Sequence, residues 1–330
     1  MASMASGAAV APRGGRKMSE KKQNTKESYG ARCKKDFLIN WKLYLMFVPI
    51  LAFYIIFSYI PMYGAIIAFK DYSPQYGIWG SQWVGLKHFI DFFTSPDFTR
   101  IFWNTIKISF SSLIFGFPAP IILALLLNEV KTNAFKRTIQ TITYMPHFVS
   151  LVVVCGIIKS FVSDSGFITV LLSSIGLVER TDLLGKKELF VPIYVITGIW
   201  QEIGWGSIIY LAALSGINMD LYEAASIDGA GRWRQLFAVT IPGIMPTIVI
   251  MLILRVGHIM SVGFEKIILL YNPLTYETAD VISSYVYRRG LMEFNFSYSS
   301  AVGLFNSVIN YALIIFANWV SRRAGESSIW

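Results

Sequence analysis

YEAASIDGAGRWRQLFAVTIP, residues 222–242, separates two long apolar runs at about 190–213 and 246–270. It carries Glu223, Asp228, Arg232 and Arg234, and glycines at 229 and 231 interrupt it. The runs on either side of it decide the fold. A helix needs roughly 20 apolar residues to cross about 30 Å of hydrocarbon. Six stretches qualify, at about 42–69, 102–128, 139–162, 190–213, 246–270 and 298–320. Each is longer than a buried strand and too apolar for a surface helix. In lipid every backbone group must be paired, and a helix achieves this within one segment. The reading is an all-α polytopic membrane protein with six transmembrane helices.

Composition agrees. The 330 residues are 54% hydrophobic and 15% charged, where soluble domains carry about a quarter charged residues. Cys33 and Cys155 form no spaced pair, so neither a disulfide framework nor a zinc site is indicated. The three histidines match no metal spacing. No clustered nucleophile, base or metal set suggests catalysis. Residues 1–36 are read as a disordered basic tail, too polar for a signal peptide. The opening MASMASGAAVAPRGG has the composition of an appended leader.

Charge sets the orientation. With the N-terminus inside, the inner segments hold seventeen Lys and Arg and the outer segments eight. The positive-inside rule then places both termini in the cytoplasm, the tail deciding the balance. Attraction to anionic headgroups accounts for the tail without nucleic acid. Residues 214–245 become cytoplasmic. The outer loops, about 70–101, 163–189 and 271–297, are rich in Trp, Tyr, Gly and Pro. They read as interfacial hairpins or as a landing platform for an external partner.

The charged insert reads as helix, bend, helix. Asp220 and Glu223 have capping-box spacing. A helix over 221–228 ends at Gly229, which tolerates positive φ. A second runs over about 230–240 and is closed by Pro242, with Pro246 in the first turn of the next span. Ala224 and Ala225 let another backbone approach, beside the charge of Glu223. The unit is either a coupling knob for a cytoplasmic partner or an ordinary amphipathic loop.

Glu223-Ala224-Ala225, three residues, Gly229, nine residues and Val239-Thr240-Ile241-Pro242 resemble the EAA signature of ABC importer permeases. The family pattern ends I-x-L-P, and Val239 and Ile241 replace its aliphatics. The stretch EAASIDGAGRWRQLFAVTIPGIMPTI resembles the maltose-permease-like carbohydrate branch. FVPILAFYIIFSYIPMYGAIIAFKDYSP and WVGLKHF look like its polysaccharide and oligosaccharide permeases. The likeness covers roughly 37–325, the permease domain. It implies a type I ABC importer permease fold in the bacterial cytoplasmic (inner) membrane. It implies a second related permease in a pseudo-symmetric heterodimer, an ATPase dimer beneath, and an extracytoplasmic solute-binding protein. Glu223, Ala224, Ala225, Asp228, Gly229 and Pro242 would form the ATPase-coupling element. No cofactor belongs to this chain, and ATP and Mg would sit on the ATPase. Consistently, no G-x-x-x-x-G-K-[ST] phosphate loop is present.

Polar groups inside the spans mark a candidate solute path. They are Trp200, Gln201 and Glu202, then Arg255 and His258, then Asn306 and Asn310. Such groups are costly in lipid and face a cavity or a partner helix. Glu202 and Arg255 read either as an internal ion pair, with the asparagines bridging helices, or as groups lining the path. In the second case Trp200 stacks on a sugar ring. Lys107 and Lys159 snorkel from their spans. Lys107, Lys159 and Arg255 outnumber Glu202, which points to an acidic, uronate-containing oligosaccharide. The rival reading is an ion-coupled secondary transporter of a polar solute, since Pro118 and Pro120 break a span.

Overall fold

The computed structural model describes residues 29–323, 325 and 328. Two units are distinguished, ending and starting at Met62 and Tyr63. In the first, α1 (Tyr29–Tyr54) is kinked at Asn40. Asp36 accepts bonds there from Asn40 and Tyr44, at 2.7 and 2.5 Å. Of the expected disordered tail, residues 1–28 lie outside the described residues, whereas 29–36 are helical.

The second unit opens with a 3₁₀ segment, Tyr63–Phe69, then a short antiparallel pair, β1 (Lys70–Asp71) and β2 (Gln82–Trp83), followed by α2 (Lys87–Thr94). Then come α3 (Pro96–Gly116) and α4 (Pro118–Glu129), joined at Phe117. Ser95 caps α3 by accepting from Asp97 N at 3.2 Å, and Pro96 takes the first helical position, where its missing N–H costs nothing. α5 (Asn133–Tyr144) and α6 (Leu151–Val162) follow, then α7 (Phe167–Ser174). The expected span at 139–162 is therefore not one helix. Pro146 supplies no donor to a continuing ladder, and Met145–Phe148 tighten into a 3₁₀ turn before Ser150 starts α6.

The centre of the bundle is α8 (Lys187–Ser215), packed on α3, α4 and α5. Its buried side includes Phe190, Val195, Gln201, Ser207 and Tyr210. At about 1.5 Å per residue its 29 residues exceed the hydrocarbon thickness. Among the described residues five helical segments are both long and apolar enough to cross a membrane: Lys35–Phe69, Pro96–Glu129, Leu151–Ser174, Arg232–Gly257 and Phe296–Arg323. α8 carries Gln201 and Glu202 at its middle, and protein on several sides of it makes those polar groups tolerable.

Beyond α8 lie α9 (Met219–Ile227), α10 (Arg232–Gln235) and α11 (Ile241–Gly257). A turn over 258–263 leads to α12 (Phe264–Leu270), so the expected span 246–270 also breaks. α13 (Ile282–Tyr287) and α14 (Phe296–Arg323) complete the unit. One buried cluster joins Ile108, Val154, Phe190, Val195 and Ile267. A second joins Phe92, Ile101, Met260, Tyr285 and Val302. A third, Ala124, Tyr210, Leu214 and Ile244, lies where α4, α8 and α11 meet.

The segment 271–297 is bound to the helices rather than free. Asn104 donates to the Glu277 and Asp280 carbonyls at 2.9 and 3.0 Å, and Thr105 Oγ1 accepts from Ile282 N at 3.0 Å. Tyr72 N donates to Ser297 Oγ at 2.8 Å, joining this segment to the strand pair. Asp280 is fully buried and pairs with Arg288 at 2.6 and 3.2 Å, while Ser284 donates to it at 2.7 Å. Burial alone would lower the Arg288 pKa, but the bond and charge of Asp280, with Tyr271, together hold it above its ordinary value. Removing one partner of a buried pair leaves an uncompensated charge. Asp280→Ala is expected to destabilise this unit by about 3–5 kcal/mol, read as a lower unfolding midpoint in detergent. An unchanged midpoint would show that the pair contributes nothing.

Candidate functional site

Two features of the second unit are candidates for function. The first is the charged insert. Asn218, not Asp220, caps α9: its Oδ1 accepts from Asp220 N at 3.0 Å, and Asp220 falls inside the first turn. The capping-box reading of Asp220 and Glu223 is thus corrected. The chain enters the helix two positions earlier, and a side chain at Asn218 reaches the orphan donors first. Glu223 is exposed, with no hydrogen bond or ion pair among the described residues.

Gly229 has φ +75°. Ala230 N donates to Ala225 O at 2.8 Å and Gly229 N to Ser226 O at 3.0 Å, the two bonds of a Schellman end. Asp228 is the exposed C-cap residue between them. Ala224 is exposed and Ala225 half-buried on the same helix.

The second helix does not stop at Pro242. It runs from Arg232 through a π-helical turn, Leu236–Thr240, into α11, and Pro246 lies inside it. Pro242 has no N–H, and its ring crowds the carbonyl four residues back. The wide turn absorbs this, with Ile241 N donating to Leu236 O. The consequence is geometric: α10 and α11 are parts of one uninterrupted helical run.

Side chains clasp the two helices of the insert. Tyr222 and Thr240 hydroxyls lie 2.9 Å apart, and Gln235 Nε2 donates to Ser226 Oγ at 2.9 Å and Ala230 O at 3.0 Å. Sequence reasoning placed Thr240 in the motif but not its contact with Tyr222, since a hydroxyl pair 18 residues apart has no local signature. The outer face is apolar. Ile227 is 86% exposed and Trp233 77%, with Met219, Leu221 and Phe237 also exposed. Exposed apolar groups of this kind contact a partner protein or the membrane.

The second feature is a cavity of about 560 Å³ between α3, α8, α11 and α12. Gln201, Glu202, Arg255 and His258 line it. Ser109, Ser112, Tyr194 and Lys266 line it as well. Trp200, Asn306 and Asn310 are not among its lining residues.

Glu202 does not pair with Arg255. It bonds His147 Nδ1 at 3.0 Å, and the His147 ring stacks on Trp205 at 4.5 Å and 2°. The break at Pro146 places His147 beside α8, and Trp205, less than one turn beyond Glu202, completes the stack. Arg255 has no carboxylate within 4 Å among the described residues. Asn310 acts between elements: its Oδ1 accepts from Met260 N at 3.0 Å and its Nδ2 donates to Ser261 Oγ at 2.8 Å, fixing the 258–263 turn. The buried Asn306 Oδ1 has no hydrogen-bond partner. Trp200 is 45% exposed.

Lys107 and Lys159 are exposed and away from the cavity lining. The cation that sequence reasoning missed is Lys266, in the apolar run FEKIILL, and it is buried. A lysine inside such a run was the available signal.

α8 and α5 meet closely beside this site. A Cβ at Gly204 would lie 2.1 Å from Thr143 O and 2.8 Å from Tyr144 N. Only glycine lets the two backbones approach so far.

A polytopic helical bundle with a helix–bend–helix insert continuous with one span, and a polar cavity between the spans, is a transport scaffold. The family model of the binding-protein-dependent transport system inner membrane component matches residues 116–326, and the chain belongs to this family of ABC importer permeases. It is 45% identical over 304 residues to LplB of Bacillus subtilis strain 168, covering 92% of this chain and 94% of LplB. It is also 45% identical over 291 residues to the polygalacturonan/rhamnogalacturonan transport system permease YteP of that organism, covering 87% and 90%. A chain of the solved bacterial alginate ABC transporter, in complex with an alginate pentasaccharide-bound periplasmic protein, superposes with TM-score 0.82 at 45% identity. It covers 90% of this chain and all of that one. The family comprises transport components rather than enzymes, and it does not favour the ion-coupled alternative.

Proposed function

We propose that this chain is one of two permease subunits through which an ABC importer passes an acidic oligosaccharide delivered by a solute-binding protein. The carrying observation is the cavity. It presents Arg255 and Lys266, neither with a carboxylate partner among the described residues, while its carboxylate Glu202 is held by His147. The likeness to the alginate and polygalacturonan systems supports the same reading. Gln201 and His258 supply hydrogen-bonding groups to hydroxyls on the same lining. Trp200, Asn306 and Asn310 lie beside the path and shape it.

In this reading both termini and the insert 219–242 are cytoplasmic, and the insert docks on an ATPase dimer that holds ATP and Mg. Glu223 is the charged contact, Ala224 and Ala225 give close approach, and Gly229 with Asp228 sets the bend. Pro242 and its wide turn join the insert to α11. The segments 70–101 and 271–297, tied together through Tyr72 and Ser297, face the binding protein.

ATP-driven uptake of neutral and uronate oligomers into proteoliposomes holding the complete complex tests the substrate class. Uronate oligomers are expected to be taken up preferentially, and equal or exclusive uptake of neutral ones would overturn the assignment. Arg255→Ala is expected to lower uronate uptake by about tenfold, the scale of a lost charge-assisted hydrogen bond at about 1.5–3 kcal/mol, with the complex still assembled. Failure to assemble would assign Arg255 a packing role instead.

A further inference from the structure

We infer that Lys266 is the carboxylate-selecting group of the cavity, an inference that rests on the acidic-oligosaccharide reading and assigns it to one ammonium. Lys266 sits on α12, just past the turn that Asn310 holds in place. The residue is 7% exposed, and Tyr194, which it contacts, packs against the buried cluster that contains Val195 and Ile267. Nζ donates to the Tyr194 carbonyl at 3.1 Å and stands 4.9 Å from the Tyr194 ring centre. An ammonium has three N–H donors. The other two have no acceptor among the described residues.

Burying an ammonium without a counter-charge is expensive. The neighbouring carboxylates relieve it only at a distance: Glu202 attracts it but makes no ion pair with it within 4 Å. Glu202 is engaged by His147, and Glu265, adjacent in sequence, is exposed and absent from the cavity lining. The carbonyl and ring of Tyr194 orient the group without neutralising it. Its position on the cavity wall leaves the vacant coordination to whatever occupies the cavity. An anion with two acceptor oxygens, the carboxylate of a uronate residue, fits that demand. Arg255 on the same lining is the more exposed cation and acts as a second contact rather than the selecting one. Burial is what makes Lys266 selective. A neutral hydroxyl would leave the charge uncompensated, so discrimination arises from the penalty on the wrong occupant as much as from attraction to the right one.

The test uses the full complex with Lys266→Gln, Lys266→Met and Lys266→Arg, reconstituted with its ATPase and binding protein. The probes are a uronate trimer and the neutral hexose trimer of the same linkage. For the wild type, preference for the uronate trimer is expected. Uptake of the neutral trimer alone defeats the substrate class itself, whatever the variants do. Given that preference, Lys266→Gln is expected to reduce the uronate-to-neutral uptake ratio by about tenfold or more. The change should appear chiefly in KM, and Lys266→Arg should retain most of the ratio. An unchanged ratio in Lys266→Gln overturns the inference while leaving the substrate class intact. Loss of assembly in both the Gln and Met variants also overturns it, because the group would then serve packing alone.

Discussion

With lysine in place of Glu223, ATP-driven uptake is expected to fall to background while the protein inserts and folds normally. Glu223 is exposed and has no partner within the described residues, so its replacement disturbs no internal contact. Surface substitutions of that kind stay within about 0.5 kcal/mol of the parent. The effect appears only when the insert is docked. Losing one charge of a desolvated pair costs about 2–5 kcal/mol in binding, which on the proposed ATPase interface would uncouple the ATPase from the spans. Gly229→Val tests the same lever through the backbone. A β-branched residue at φ +75° is strained, and the angle between α9 and α10 would change. Uptake assays with binding-protein-stimulated ATPase activity measure both variants. Wild-type uptake by the two of them would remove the coupling role from residues 219–242.

Gly204→Val is expected to prevent the second unit from reaching its packed state. Even the Cβ of alanine would stand 2.1 Å from the Thr143 carbonyl oxygen. The obstacle is backbone, which cannot rotate aside as a side chain does. Overpacking ordinarily costs about 1–3 kcal/mol. Here α5 and α8 would have to separate, carrying the His147–Glu202 bond and the adjoining cavity wall with them. Alanine is expected at the upper end of that range or beyond, and valine past it. Size-exclusion profiles and unfolding midpoints of the purified complex report the loss. A Gly204→Val protein with the wild-type midpoint would show that the crossing is not tight.

Much of the architecture was legible in one dimension. Long apolar runs announced helices because hydropathy and length are properties of consecutive residues. Gly229 announced its positive φ because it sits just past a helix end, after Asp228. The insert announced itself by motif. Helix boundaries were less legible where proline intervenes. Pro146 ends a helix inside an apolar run, whereas Pro242 does not end one, because a π turn accommodates its ring. The difference lies in what each neighbouring turn can do with a lost donor, which a count of apolar residues does not register.

The polar site was legible only in its inventory. Glu202 was recognised as an unusual group, yet its partner is His147, 55 residues away, and not Arg255. Asn310 was recognised, yet it serves the backbone of a turn. Lys266 was overlooked because it stands near the end of a run, where a lysine ordinarily snorkels outward.

By itself the amino-acid order determined that this chain crosses the membrane as helices, and that residues 222–242 form a bent, charged insert between two of them. Both follow from periodicity, hydropathy and backbone preference, which act over a few neighbouring residues. Only the tertiary structure decided which polar groups share a cavity, that Glu202 bonds His147, and that Lys266 has no carboxylate within 4 Å among the described residues. Those outcomes depend on how helices rotate and where they break, and hence on packing between residues far apart in the chain.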